Sequence, residues 1–436
     1  MFLLAASVKA EDLITIYNQA LESDPELQIA GAKVGIGSAQ KGQALGVMLP
    51  QINASTNWSQ NNQTVGNKPA NYPNLPFDST NHYNGTRYNV SLSQSILDFA
   101  KFWEWRRAQH LEDQYAAENI AAQHNIMFRV VEKYFNVLEA EDQLFYLGAE
   151  RETTEKQLEQ VQKQYAKQLV LVTDLYEVEA QLDQVKASEV EAETLVIVAK
   201  ESLKELTNRD PVALNKLVDH INYIPLEGKL EEWIEVAKSE NPLLAAQISA
   251  IEVATKNLNV QKSKHLPVVD MQMQYYSTNT GYQSINLGNN YETTVGAINV
   301  NIPLFSGGAT SNQVYEAQHK LSISHSEKEA KIRALIKETS DAFLSTNASV
   351  KRISASVKAL DSATKSREAL EKSFRYGDQT IGDVLHAEQA EFIAKRELAK
   401  SRYAYIKHKM RFMQAIGMIS PDNLIEINGW LKVATN

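Results

Sequence analysis

Four short stretches of this chain alternate apolar and polar side chains, whereas the segments between them have the pattern of long helices. One apolar face and one face of amides and hydroxyls are typical of a β-strand that separates lipid from a water-filled lumen. Four strands cannot close a barrel, and hydrocarbon does not tolerate an open sheet edge, so such strands would span a membrane only in an oligomer. The alternative is a half-exposed sheet in a soluble protein. The apolar positions are Ile52, Ala54, Thr56 and Trp58; Tyr88, Val90, Leu92 and Ile96; Val269, Met271, Met273 and Tyr275; and Gly296, Ile298, Val300 and Ile302.

The composition excludes several classes of protein. The 436 residues are 43% hydrophobic, and no stretch approaches the roughly 20 apolar residues of a transmembrane helix. The net charge of −9 and the lack of a basic patch with interleaved aromatics argue against a nucleic-acid partner. There is no cysteine, no His-Glu-x-x-His motif, no phosphate loop and no dinucleotide fingerprint. We therefore expect no enzyme, no cofactor and no metal site.

The first ten residues are small and apolar and end in Val8-Lys9-Ala10 before the acidic Glu11. This pattern is typical of the tail of a secretory signal peptide that is cleaved after Ala10. We expect residues 1–10 to be a signal-peptide remnant, and a floppy terminus is the alternative.

The rest of the chain is an internal duplication. Two prolines in similar local sequences recur at the same interval as the prolines of two Leu-Pro pairs, each of which precedes a predicted strand hairpin. A later pair of aspartates recurs at an interval eight positions shorter, which a shorter second hairpin loop explains. Matching offsets across whole halves predict two structural repeats. The landmarks are Pro25 and Pro242, Pro50 and Pro267, and Asp174 and Asp383.

Each repeat is expected to contain short helices, a β-hairpin and a long helical hairpin. The first repeat spans 11–225, with a β-hairpin at about 51–97 and a helical hairpin at about 99–207. The second spans 226–436, with a β-hairpin at about 268–304, a helical hairpin at about 307–417 and a C-terminal tail.

The helical hairpins are predicted to be very long. From Phe99 to Lys167 the chain has no proline and one interior glycine, Gly148, which allows about 100 Å of unbroken helix. The second helix of each hairpin repeats its seam at seven-residue intervals, which indicates a left-handed coiled coil. A soluble coiled-coil scaffold is the alternative, but it leaves the four strands unexplained. The heptad positions are Leu175, Leu182, Glu189, Val196 and Leu203 with Val178, Val185, Ala192, Ala199 and Leu206; and Val384, Glu391, Leu398, Tyr405 and Phe412 with Ala387, Ala394, Ser401, His408 and Ala415.

The strand and helix patterns together predict a conduit. Three chains would supply twelve strands, enough to close one barrel with a wet interior. The same chains would continue the barrel into a tube of paired helices. The predicted fold class is therefore mainly α with membrane β: a trimeric 12-strand β-barrel, four strands per chain, continuous with a long α-helical barrel of coiled-coil hairpins.

These landmarks resemble the TolC family of outer-membrane efflux and secretion channels. The resemblance extends from Glu11 to about Gly417, and its most specific motif is the NIPLFSGG run that starts at Asn301, just after the last strand. It implies a homotrimer in the outer membrane of a Gram-negative bacterium, with a long periplasmic extension. It also implies docking to a periplasmic adaptor (a membrane fusion protein) and to an inner-membrane transporter of the RND or ABC type, for export of drugs or polypeptides. Other matching features are Pro25, Leu49-Pro50, their repeats, and Asp383-Val384-Leu385.

Aromatic residues follow the second strand and precede two arginines. Phe99, Trp103 and Trp105 suit the interfacial belt at the lower membrane boundary, where indoles lie beside cationic side chains and lipid headgroups. The alternative is that these aromatics pack a strand-to-helix corner.

The inner helical hairpin of the family closes the periplasmic mouth, and acidic residues just past its turn ring the lumen. The matching positions here are Asp383 and His386. Three copies of Asp383 would favour cations, whereas imidazoles at the second position would change charge near neutral pH. Because Thr380 and Asp383 have the spacing of a capping box, a helix-capping role for Asp383 is the alternative.

In the family a Thr-Asp pair on the outer tip bonds to a Tyr and an Arg on the inner hairpin and holds the mouth shut. This chain has Thr173 and Asp174 but Phe374 and Gln379 at the partner positions. Phe374 lacks a hydroxyl and Gln379 lacks a charge, so we expect a weaker or differently built lock.

Adaptor contact is expected at the two helical tips. The first tip reads Lys167-Gln168-Leu169, where the family often has Val-Gly-Leu, and the second keeps Gly377 followed by Asp378. The departure at the first tip leaves the identity of the adaptor open, and solvated tips without a partner are the alternative.

Overall fold

The computed structural model describes residues 10–65, 79–218, 220–279, 290–376 and 378–432. Nine residues of the expected signal remnant, the turns of both strand hairpins and Gly377 lie outside the described residues. Contacts divide the chain into two compact units. We call Met1–Lys33, Ala116–Ala246 and Glu329–Asn436 the helical unit, and Val34–Tyr115 with Gln247–Lys328 the sheet unit.

The same order of elements occurs twice along the chain: two helices, two strands and two long helices. None of the described helices has the length and apolar character needed to cross a membrane. The first set comprises α1 (Leu13–Ser23), α2 (Pro25–Gly46), β1 (Gln51–Val65), β2 (Ser79–Leu97), α3 (Phe99–Ala166) and α4 (Val172–Thr207), and β3 (Lys216–Leu217) follows it. The second comprises α5 (Leu230–Glu240), α6 (Pro242–Ser263), β4 (Val268–Asn279), β5 (Asn290–Asn301), α7 (Ala309–Arg375) and α8 (Ile381–Ala415), followed by α9 (Pro421–Asn428) and β6 (Leu431–Lys432).

The four long strands form one antiparallel sheet in the order β1-β2-β4-β5. Its register places the predicted apolar positions in rows across the sheet, because directly opposed residues of antiparallel strands point to the same face. The predicted four strands per chain and their alternation are therefore confirmed. Within the described residues, β1 and β5 are edge strands with one neighbour each. One row is Ile52, Leu92, Met273 and Gly296, and the next is Ala54, Val90, Tyr275 and Thr294.

Two ends of the apolar rows differ from the prediction. The register of β2 against β4 shifts between Ser95 and Leu97, so Leu97 rather than Ile96 lies opposite Val269. A bulge of this kind inserts one residue, so the side chains beyond it point to the opposite face from the one that the alternation predicts. A prediction based on alternation alone cannot detect such an insertion. Ile302 is also predicted to lie in the last strand, but β5 ends at Asn301, opposite Val268, because the residue that would lie opposite Ile302 is Pro267, which cannot donate to the ladder.

The helical unit has its largest core where α1, α3, α4, α8 and α9 meet. α3 and α7 contain 68 and 67 residues, and α4 and α8 contain 36 and 35. The predicted heptads are confirmed, since most seam positions of α4 and α8 are buried. Glu391 is a charged member of the seam and is buried, where Arg367 and Lys395 neutralise it. The fully buried large side chains include Tyr134, Phe135, Leu203, Leu206, Ile406 and Met410.

Candidate channel mouth at the helical tips

The first tip joins α3 to α4 through a turn closed by backbone hydrogen bonds. The amide of Gln168 donates to the carbonyl of Tyr165 at 2.8 Å, and the amide of Leu169 donates to that of Gln164 at 3.0 Å. Gln168 has a φ of 59°, a left-handed conformation that glycine adopts readily and that costs other residues roughly 1–2 kcal/mol. The glutamine therefore keeps the turn that a glycine would make, and Lys167, Gln168 and Leu169 are all exposed.

The second tip joins α7 to α8, and its described part ends in a helix cap. Thr380 is the N-cap of α8, and its backbone amide and hydroxyl donate to Asp383 Oδ2 at 3.0 and 2.7 Å. The amide of Asp383 in turn donates to Thr380 Oγ1 at 3.2 Å. These hydrogen bonds from Thr380 hold the pKa of Asp383 below its usual value. The capping box predicted as the alternative role is present, and it keeps this carboxylate ionised.

His386 lies one helical turn after Asp383 on α8, and its side chain is exposed. Its positive charge, when present, also lowers the pKa of Asp383. Asp378 precedes the cap and is exposed as well. The part of the second tip that the structure describes thus presents two carboxylates and one imidazole to solvent.

The four lock residues are brought close together only in part. Asp174, Phe374 and Gln379 line one cavity of about 690 Å³ between the two tips, and Thr173 does not line it. Asp174 Oδ2 accepts a hydrogen bond from the backbone amide of Leu171 at 3.0 Å, so it caps its own helix. Among the side chains that the structure describes, no hydrogen bond or ion pair joins these four to one another.

Phe374 has an apolar role at this position. It packs against a buried cluster that joins the two hairpins near their tips. A phenyl ring suits such a cluster better than a phenol, whose hydroxyl would need a partner. The loss of the hydroxyl is therefore matched by apolar packing. The buried members of the cluster are Val161, Val178, Ile381, Val384 and Leu385.

Polar side chains join α3 to α8 along much of their length, and sequence reasoning missed them. As the residue number rises along α8 it falls equally along α3, as neighbours in antiparallel helices require. The signal that could have found them is the set of charged and tyrosine side chains on α8 at roughly heptad spacing. The pairs are Gln157 with Glu388, Glu150 with Arg396 (2.6 Å), Asp142 with Tyr403 (2.6 Å) and Glu139 with Lys407 (2.8 Å).

Glu388 is the titratable member of this series nearest the mouth. Burial raises its pKa to about 6, although the hydrogen bond from Gln157 and the charge of Arg367 oppose the shift. Glu371 and Glu391 lie near enough to raise it further. The contact between α3 and α8 therefore contains a carboxyl group that changes charge close to neutral pH.

Glu388→Gln is expected to remove a pH-dependent step in stability. Between its ordinary pKa of 4.5 and about 6, the folded chain keeps a proton that the unfolded chain has lost. Stability from this group is therefore full below pH 4.5 and falls as the pH rises through 6. Melting temperatures in detergent at pH 5 and 7 should differ less for Glu388→Gln than for the wild type. The exposed Glu368→Gln is the matched control, and an unchanged pH step in Glu388→Gln would contradict this assignment.

The predicted membrane-boundary aromatics lie at the start of α3 in the sheet unit. The ring of Phe102 contacts those of Trp103 and Trp105, with centroids 5.3 and 6.2 Å apart. Arg106 lies over Trp105 at 5.8 Å, and the side chain of Phe99 is exposed. The rings pack with one another at the strand-to-helix corner. Their place in an interfacial belt stays a prediction.

Nearly the whole chain is similar to known outer-membrane proteins. The profile of the outer membrane efflux protein family matches residues 16–209 and 233–418. Outer membrane protein TolC of Vibrio cholerae is 31% identical over 439 residues, which cover 99% of this chain and 96% of the relative. Alkaline protease secretion protein AprF of Pseudomonas aeruginosa is 26% identical, covering 97% of this chain and 88% of the relative. The CmeC outer membrane channel of Campylobacter jejuni has the same fold, with a TM-score of 0.82 at 16% identity over 97% of this chain and 90% of that one.

Proposed function

The chain belongs to the outer membrane efflux protein family, and we propose that its helical tips form the gated periplasmic mouth of the channel and dock a periplasmic adaptor. The protein is a homotrimeric outer-membrane channel with a periplasmic extension, an exit duct for drugs or secreted proteins. Three copies of the four-stranded sheet supply the twelve strands of the barrel. The soluble coiled-coil scaffold is not favoured, and the matched relatives are channel proteins rather than enzymes.

Asp383 is proposed to form the charged ring of the mouth, with His386 one turn further along α8. The observation that supports this most strongly is the capping box, because it fixes the carboxylate at the helix start and keeps it ionised. Three such carboxylates around one axis would favour cations.

The gate is proposed to be held by the contacts between the two hairpins. Thr173, Asp174, Phe374 and Gln379 surround or adjoin the tip cavity without bonding to one another, so the apolar cluster and the polar pairs of α3 and α8 are proposed to supply the closing force. Opening would then require these contacts to separate together.

Adaptor docking is proposed at Lys167, Gln168, Leu169 and Asp378, with Gly377 lying outside the described residues. Large apolar side chains are exposed at both tips, Leu169 by 70% and Tyr376 by 84%. Exposed apolar groups at the end of a structure are typical of a surface that a partner covers. An adaptor held there would connect the duct to an inner-membrane transporter of the RND or ABC type. At the other boundary, Phe99, Trp103 and Trp105 are proposed to contact outer-membrane lipid.

Single-channel recording with Asp383→Asn tests the proposed mouth. Asparagine can accept the same capping hydrogen bonds through its amide oxygen, so the variant removes charge but leaves the helix start intact. In a planar bilayer under a salt gradient, the wild-type channel should prefer cations, and Asp383→Asn should reduce that preference. Asp378→Asn is the control, since it removes an exposed charge that is proposed to lie outside the ring. Equal reversal potentials for wild type and Asp383→Asn would refute the ring.

A further inference from the structure

Leu304 and Phe305 are the most exposed large apolar side chains among the described residues. They are 91% and 89% exposed, and they follow the end of β5 in the NIPLFSGG run. After Ser306 come Gly307 and Gly308, with φ values of 62° and 82°, so the chain turns sharply before α7 begins. Pro303 restricts the backbone on the other side. The two side chains are therefore presented on a short, conformationally restricted segment.

An apolar cavity of about 390 Å³ lies in the same unit, where β2 meets α3. An apolar cavity of roughly 150 Å³ admits a benzene ring, so this one has room for a phenyl and an isobutyl group. Gln94 Nε2 donates to the carbonyl oxygen of Met48 at 2.7 Å and holds that wall of the cavity in place. The apolar walls are Met48, Ile96, Leu97, Phe99, Phe102 and Trp103.

The topology of the sheet brings these two features of neighbouring copies together. β1 and β5 are the edge strands of the sheet, and they run in opposite directions. In a barrel closed by copies of the chain, β5 of one copy must pair with β1 of the next, about 4.8 Å away and antiparallel. The end of β5 at Asn301 then lies beside the start of β1 at Gln51, next to Met48 of that neighbour.

We propose that Leu304 and Phe305 of one copy insert into the cavity between Met48 and Trp103 of the next copy. The side chains of Leu304 and Phe305 are apolar, like the walls of the cavity, and the cavity has room for both. They also lie at the end of β5 that pairs beside the start of the neighbour's β1. The contact is head-to-tail, so three equal insertions close the ring just below the barrel. The NIPLFSGG run, which the proposed function leaves without a role, becomes the segment that fastens each copy to its neighbour.

Cross-linking tests the insertion directly, because the natural chain has no cysteine. The double variant Met48→Cys/Phe305→Cys, purified in detergent and treated with a short bismaleimide, should give covalent trimers on a denaturing gel. Each single-cysteine variant should stay monomeric on the same gel. A double variant that is trimeric by mass in detergent yet links no better than the single variants would overturn the proposal. That outcome would leave the trimeric channel itself intact, so the two claims fail separately.

Loss of the inserted side chains should weaken the trimer. We expect Leu304→Ala/Phe305→Ala to shorten the lifetime of the trimer in SDS by about tenfold or more, as removal of a well-packed apolar anchor does at other interfaces. Phe305→Leu should retain most of that lifetime. Ile323→Ala on α7 is the control, since it also truncates an exposed apolar residue of the sheet unit. Equal lifetimes for the double alanine variant and the control would contradict the insertion.

Discussion

Arg396→Met is expected to loosen α8 from α3 and to raise the current through the resting channel. Glu150 is 4% exposed, and its Oε2 lies 2.6 Å from Arg396 Nη1. Removing one member of a buried ion pair leaves an unpaired buried charge and typically costs about 3–5 kcal/mol. Since the pair joins the two hairpins that are proposed to close the mouth, its loss destabilises the closed state of the channel. Melting in detergent and single-channel recording in the same buffer measure both effects.

Arg352→Met is the matched control for this experiment. Arg352 pairs with Glu397 of α8 at 2.8 Å, but both side chains are exposed, by 62% and 44%. An exposed pair of this kind contributes roughly 0–1 kcal/mol. Glu150→Gln/Arg396→Met should recover part of the lost stability, because the amide carries no charge. If Arg396→Met and Arg352→Met gave the same melting temperature and the same resting current, the buried pair would not hold the hairpins.

Gly417→Ala is expected to prevent accumulation of the folded protein. Gly417 follows α8 with a φ of 74°, and an added Cβ would lie 2.4 Å from the carbonyl oxygen of Glu240. The left-handed backbone and the clash together cost about 2–5 kcal/mol. The segment around Glu240 cannot easily shift to relieve this clash, because Asn241 Nδ2 donates a hydrogen bond to the carbonyl of Ala415 at 2.9 Å. The yield of folded trimer in outer-membrane fractions measures the effect.

Gly382→Ala is the matched control, because it distinguishes the effect of a clash with the backbone from the effect of replacing a glycine in general. Gly382 is buried near the mouth, and an added Cβ would lie 2.7 Å from Glu177 Oε1. That oxygen is the end of a flexible side chain, so it can move away at little cost. We expect near-normal yield for Gly382→Ala and a large loss for Gly417→Ala. Similar yields would show that the contact with Glu240 does not constrain the fold.

The sheet was largely predictable because its two faces contact different solvents. Ile52, Leu92 and Met273 fall in one row as period-two alternation requires. The bulge at Ile96 was not predictable, since an inserted residue changes the alternation only beyond itself, and Leu97 is the only residue of β2 that follows it. In the sequence, Leu304 and Phe305 are indistinguishable from apolar residues that their own chain would bury. Only the structure shows that both side chains are exposed.

The mouth was predictable only where the determinants are local. Thr380 and Asp383 are three residues apart, so their capping box could be read from spacing. The contacts of Glu388 with Gln157 and of Arg396 with Glu150 join residues more than two hundred positions apart. A single sequence gives no register for two helices that are distant along the chain. The apolar role of Phe374 was missed for the same reason, because its partners lie on three different helices.

The mass of the purified protein in detergent, measured by native mass spectrometry, tests the central claim most directly. A sheet with two open edges must share them with other copies in order to form a sealed channel. The account predicts one species with three copies of the chain. A folded single chain that stays in solution after detergent removal would contradict it.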